Sequence, residues 1–163
     1  MSADAIRQLA VQVLAACRAK KWMLATAESC TGGMIAAALT DIAGSSDVVE
    51  RGFVTYSNAA KTELLGVPAE LIDRVGAVST EVAQAMAAGA LARAPVELAV
   101  AVTGIAGPGG GTAEKPVGLV HFGLAAQGGM LRAEHHVFPG DRAAVRSATV
   151  LRALQMLLEA AAR

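Results

Sequence analysis

The sequence predicts an α/β fold: a mixed, mostly parallel sheet of about five strands, flanked by helices and ending in an antiparallel hairpin. Three observations carry this. Apolar residues recur at helical spacing near both ends of the chain, Val96 to Val102 is an apolar run interrupted only by Glu97, and strand-like runs alternate with capped helical stretches. The 163 residues suit one domain with a substantial core, and residues 1–163 are expected to form a single unit.

Ile6, Leu9, Ala10, Val13, Leu14 and Cys17 share one helical face, so a helix is expected over about residues 4–20. A strand follows near 22–27, then a turn at Ser29 and a helix to about Leu39. Residues 41–47 read as a loop, and Val48 to Tyr56, rich in β-branched and aromatic residues, as a strand. Ser57 and Asn58 offer a cap for a short helix that ends at Gly66; Pro68 opens another, closed by Gly76. Ser79 caps a longer helix to about Arg93, with Glu81 in its first turn. The run at 96–102 has the pattern of a central strand covered on both faces. After a glycine-rich loop, Gly104 to Pro116, strands are expected at 117–125 and 130–138, joined through Gln127-Gly-Gly129. Gly140 and Asp141 start the last helix, whose stripe is Val145, Ala148, Leu151, Leu154 and Leu158.

Composition narrows the function. Lys plus Arg and Asp plus Glu both number 14, which leaves no basic footprint for nucleic acid. Cys17 and Cys30 form neither a disulfide framework nor a zinc pattern, and free thiols fit a reducing compartment. No signal-peptide pattern and no membrane-length apolar run is evident, so a soluble, cytoplasmic protein is expected. The high apolar and low aromatic content is compatible with a buried subunit interface, and a homodimer is expected.

The chemistry concentrates in three segments. Thr26-Ala-Glu-Ser-Cys-Thr-Gly-Gly33 places a hydroxyl and a thiol where a strand turns into a helix, whose unpaired N–H groups favour negative charge. Ser29 is the candidate nucleophile, and a serine needs a base. His121, His135 and His136 lie on expected strands, without a pattern that links them to a serine triad or a metal site. Lys61, in the first turn of the helix after Tyr56, is the better base: the helix dipole and partial burial both favour a neutral amine. Tyr56 is a candidate proton relay. The third segment, Thr103 to Pro116, carries five glycines between 104 and 111. It follows the central strand, where backbone N–H groups could cradle an anion. It matches neither a P-loop nor a dinucleotide-binding fingerprint. Arg142, at the start of the last helix, is a candidate phosphate ligand.

Taken together, Ala27-Glu-Ser-Cys-Thr-Gly-Gly33, Gly52-Phe-Val-Thr-Tyr-Ser-Asn-Ala-Ala-Lys61, Val78-Ser-Thr-Glu-Val-Ala83, Thr103-Gly-Ile-Ala-Gly-Pro-Gly-Gly110 and Lys115-Pro-Val-Gly118 resemble the CinA C-terminal domain. The strings span most of the chain, which resembles the stand-alone form of that domain. The resemblance implies nicotinamide-nucleotide amidase activity: nicotinamide mononucleotide and water give nicotinate mononucleotide and ammonia. It implies Ser29 as nucleophile with Tyr56 and Lys61 as the proton-transfer pair, and neither a metal nor an organic cofactor. Oxyanion and substrate contacts are expected from Cys30, Thr31, Gly32 and Gly33, and from Thr103, Gly104, Gly107, Gly109 and Arg142. Three alternatives stay open: Cys30 as nucleophile, another pyridine or nucleotide amide as substrate, and a catalytically silent module that binds a nucleotide or a protein.

Overall fold

The computed structural model describes residues 3–163. Six helices and five strands run in the order α1 (Ala3–Lys20), β1 (Leu24–Glu28), α2 (Met34–Thr40), β2 (Val49–Val54), α3 (Asn58–Leu65), α4 (Ala69–Val75), α5 (Thr80–Arg93), β3 (Leu98–Gly104), β4 (Leu119–Ala126), β5 (Met130–Val137) and α6 (Arg142–Ala161). A short 3-10 turn at Ser45–Asp47 precedes β2. The caps follow the local chemistry. Ser57, Ser79 and Asp141 accept bonds from Ala60, Val82 and Ala144 N–H, and Gly66 closes α3 with a left-handed φ of 70°.

The sheet order is β2-β1-β3-β4-β5. β1 pairs parallel with β2 and with β3, while β4 is antiparallel to both β3 and β5. Four of the five strands therefore share a direction, as the expected mostly parallel sheet requires. Chain order reverses at β1: its next strand lies on one side and β3 on the other. In open α/β sheets the crevice outside the carboxyl ends at such a point is where ligands bind.

The sheet separates two unequal cores. On one face Leu24, Leu98, Val100, Val102 and Phe122 pack against α1, α2 and α6. On the other, Ala27, Ala99, Ala101 and Ala125 meet Val82, Met86, Ala87 and Ala90 of α5. The small residues let α5 press close to the strands. At Gly123 a Cβ would collide with the Ala83 carbonyl, so β4 needs glycine there. With aromatics at 3% of the chain, the core is built by interdigitating aliphatic layers. Arg152 of α6 grips the Glu134 carboxylate of β5 with both arms, at 2.6 and 2.8 Å. That bond holds the Glu134 carboxyl down to about 2.

Two boundaries differ from expectation. The central strand begins at Leu98 rather than Val96, because the Glu97 carboxylate turns back to accept the Met23 N–H at 2.7 Å. The strand expected through Tyr56 ends at Val54; Thr55 N–H still reaches the Glu28 carbonyl at 2.8 Å, and the chain then turns into the Ser57 cap. Tyr56 thus lies in a loop and is 61% exposed.

Candidate active site

Three loops meet at the carboxyl end of the sheet: the Ser29 turn after β1, the Tyr56 loop after β2 and the glycine-rich loop after β3. With Ala77 and Val78 from the α4–α5 connection and Arg142 of α6, they enclose a cavity of about 300 Å³.

The turn after β1 is shaped from behind by Glu28. Even-numbered residues of β1 face α2, so the fully buried Glu28 carboxylate meets that helix's N-terminus. One oxygen accepts Thr31 Oγ1 at 2.5 Å and Ile35 N–H at 2.9 Å; the other accepts Ala36 N–H at 3.0 Å. Gly33, at the N-cap position with a φ of 109°, has no side chain to do this. Glu28 takes over the cap, reaching N–H groups seven and eight residues ahead, and thereby fixes where Ser29 emerges.

Ser29 and Lys61 are together at the floor of the cavity. Lys61 Nζ lies 3.0 Å from Ser29 Oγ, 2.9 Å from the Thr55 carbonyl and 3.3 Å from the Tyr56 carbonyl. Lys61 is 1% exposed, without a carboxylate among these contacts. Burial lowers its pKa from the usual lysine value, and the neighbouring Cys30 opposes that only in part. Carbonyl oxygens can only accept. When Lys61 is neutral, its two hydrogens satisfy Thr55 and Tyr56, and its lone pair is left for the Ser29 hydroxyl.

The remaining candidates divide. Thr103, Gly104, Gly107, Gly109 and Arg142 line the cavity, as does Cys30. Thr103 Oγ1 donates to the Ala77 carbonyl at 3.0 Å, which ties the glycine-rich loop to the opposite wall. Burial pushes the Cys30 thiol up to about 11, outweighing its own backbone N–H and the nearby Arg146 and Lys61, so it is a thiol and not a thiolate at neutral pH. Tyr56 differs from expectation. Its hydroxyl accepts a bond from Arg142 Nη2 at 3.1 Å, and its contact with Lys61 is through the main-chain carbonyl. Among the described residues, no hydrogen bond joins the hydroxyl to Ser29 Oγ or Lys61 Nζ. Arg142 is braced on the other side by the Gly107 carbonyl, at 2.9 Å from Nη1.

Thr31, Gly32 and Gly33 also differ: none lines the cavity. Thr31 is fully buried, and Gly32 N–H is spent on the Ser29 carbonyl at 3.0 Å. Cys30 is the turn residue beside Ser29 that lines the cavity. Asn58, Ala77 and Val78 line the cavity without having been singled out for it. The only sequence signal for Val78 was the Val78–Ala83 string, which carried no role.

A family model for the CinA C-terminal domain matches residues 6–161. The chain belongs to the CinA C-terminal domain family. Within it, the nicotinamide-nucleotide amidohydrolase PncC of Enterobacter agglomerans is 52% identical over 97% of this chain and 96% of its own length. PncC of Escherichia coli K12 is 49% identical over 96% and 95%. The CinA-like protein of Akkermansia muciniphila is 56% identical over 83% of this chain, which spans only 33% of that longer protein. Among solved structures, the competence/damage inducible protein CihA of Agrobacterium tumefaciens superposes with a TM-score of 0.93 at 52% identity, covering 95% of this chain and 94% of that one. The fold of this family member is thus the family's fold throughout. Among the described residues no helix is long and apolar enough to cross a membrane.

Proposed function

We propose that this chain hydrolyses the carboxamide of nicotinamide mononucleotide to nicotinate mononucleotide and ammonia, with Ser29 as nucleophile and Lys61 as general base. The substrate follows from the end-to-end likeness to the two nicotinamide-nucleotide amidohydrolases. The observation that carries the mechanism is the buried amine of Lys61, whose carbonyl partners leave its lone pair for Ser29.

In this reading Ser29 Oγ forms a bond to the carboxamide carbon while Lys61 Nζ takes the hydroxyl proton. The C–N bond then breaks, and the Lys61 ammonium gives that proton to the departing ammonia. Water adds to the resulting nicotinoyl ester and loses a proton to Lys61. Collapse frees the carboxylate, and Lys61 restores the Ser29 hydroxyl. The positive pyridinium ring withdraws electrons from the reacting carbon. Cys30 N–H, next to the nucleophile, is the turn's candidate oxyanion donor in place of Thr31 to Gly33. The loss of one oxyanion donor costs about 2.7–4 kcal/mol in a serine protease. Arg142 and the exposed Gly109 and Gly110, which line the cavity, are the candidates for the ribose phosphate: a cation beside a glycine-rich stretch that can offer backbone N–H groups.

Incubation of the protein with nicotinamide mononucleotide tests this. Equimolar ammonia and nicotinate mononucleotide are expected. Binding of the nucleotide without ammonia at any protein concentration would make the chain a silent binding module instead.

A further inference from the structure

The Ser29 turn is gripped from its far side by a residue outside the proposed chemistry. Arg146, in the second turn of α6, donates from Nε to the Cys30 carbonyl at 3.0 Å and from Nη2 to the Thr31 carbonyl at 3.3 Å. Cys30 and Thr31 are both buried, and among the described residues Arg146 is the one recorded partner of the Cys30 carbonyl. Arg146 does not line the Ser29 cavity. It borders a second cavity of about 520 Å³, with Ala106, Pro108, Val117, Gly140 and Asp141, on the other side of Arg142.

We propose that Arg146 is a positioning residue that holds the Ser29 turn in its reactive shape; the inference rests on the serine amidase reading above. A peptide unit is planar, so fixing a carbonyl fixes the N–H across the same bond. Arg146 shares the Thr31 carbonyl with Met34 N–H, at 3.1 Å, and the two together orient Gly32 N–H, which returns to the Ser29 carbonyl at 3.0 Å. Gly32 adopts a left-handed φ of 59°, which glycine reaches without a steric penalty, so no side-chain clash locks this corner of the turn. Glu28 holds Thr31 Oγ1 from the opposite side. The turn is therefore clamped between a carboxylate and a guanidinium, and both bonds from Arg146 are charge-assisted. Without the guanidinium, the buried Cys30 carbonyl loses its partner, and the Cys30–Thr31 plane, one peptide beyond Ser29, is free to rotate.

Arg146→Ala is expected to lower kcat on nicotinamide mononucleotide by about 10²-fold, the usual cost of an ångström-scale misplacement. KM should stay within about twofold, since the substrate cavity is untouched. Because the truncation opens onto the second cavity, guanidinium added below denaturing concentrations should restore part of the lost kcat. Arg146→Lys, with one donor arm, should fall between Ala and wild type, and it carries the same reading if the alanine variant does not fold. Amide hydrogen exchange gives a readout without substrate: Thr31 and Gly32 should lose protection in the variants while Val100 in β3 keeps it. Wild-type kcat in either variant, or a loss that guanidinium does not relieve with unchanged exchange at Thr31 and Gly32, would overturn the proposal. If the wild type itself releases no ammonia, the amidase reading fails, and the exchange experiment still decides whether Arg146 holds the turn.

Discussion

Lys61 Nζ rests 3.0 Å from Ser29 Oγ in a pocket where its other two partners are main-chain carbonyls. A lysine without a carboxylate partner in a buried setting is costly to keep charged, and the proposed chemistry uses the neutral form that results. The pair comes from two crossover connections that meet where the order of strands reverses.

The first prediction concerns pH. The Lys61 pKa is lowered from its usual value by burial, and the neutral amine is the active form. The rate of ammonia release should rise with pH and level off at a midpoint below the ordinary lysine value. Lys61→Met should remove that rise and reduce kcat by about 10³-fold or more, as losses of general bases from coupled pairs do. A profile with its midpoint at the ordinary lysine value would contradict the buried-amine assignment.

The same shift has a stability consequence with a definite sign. Between the lowered folded value and the ordinary one, the unfolded chain binds more protons at Lys61 than the folded chain does. Stability therefore rises with pH across that window, by the linkage relation. Denaturant titrations should show wild type gaining on Lys61→Met as pH climbs through it. Below the folded value both states are protonated, and the difference should be flat.

Cys30→Ala should leave kcat within a few-fold of wild type. Its thiol, pushed up to about 11, stays protonated in the working range and supplies no thiolate. A loss as large as that of Ser29→Ala, in a variant that melts normally, would transfer the nucleophile to Cys30.

Tyr56→Phe should act on substrate binding and leave the base unaffected. It removes a bond from Arg142 worth about 1 kcal/mol at an exposed site, so KM should rise by roughly fivefold or less. The midpoint of the pH profile should not move. A shifted midpoint would put the hydroxyl back in the proton path.

Glu28→Gln should destabilise the chain by loosening the turn that carries Ser29. The carboxylate accepts three bonds, and an amide turns a donor toward at least one of those donors. The expected loss is about 2 kcal/mol, which lowers the melting temperature by roughly 5 °C.

Much of this was legible in the sequence where the determinant is local. Ser57, Ser79 and Asp141 declare their helices because a cap needs only its own side chain and the next turn. The apolar run to Val102 declares a central strand because both of its faces are covered. Ser29, Lys61 and the glycines after Thr103 could be named because strand-to-helix turns and glycine density have local signatures. What required coordinates was direction. Whether the Tyr56 hydroxyl faces Lys61 or Arg142 depends on where α6 packs, 86 residues later. That Thr31 is held by Glu28 on its hydroxyl and by Arg146 on its carbonyl, 115 residues away, is likewise set by tertiary packing. Periodicity carries no such information.

Ammonia release from nicotinamide mononucleotide by wild type and by Ser29→Ala, compared at equal concentration and after matched melting curves, tests the central claim most directly. Release by wild type with a loss of about 10³-fold or more in the variant is predicted. Equal rates from the two proteins would contradict it.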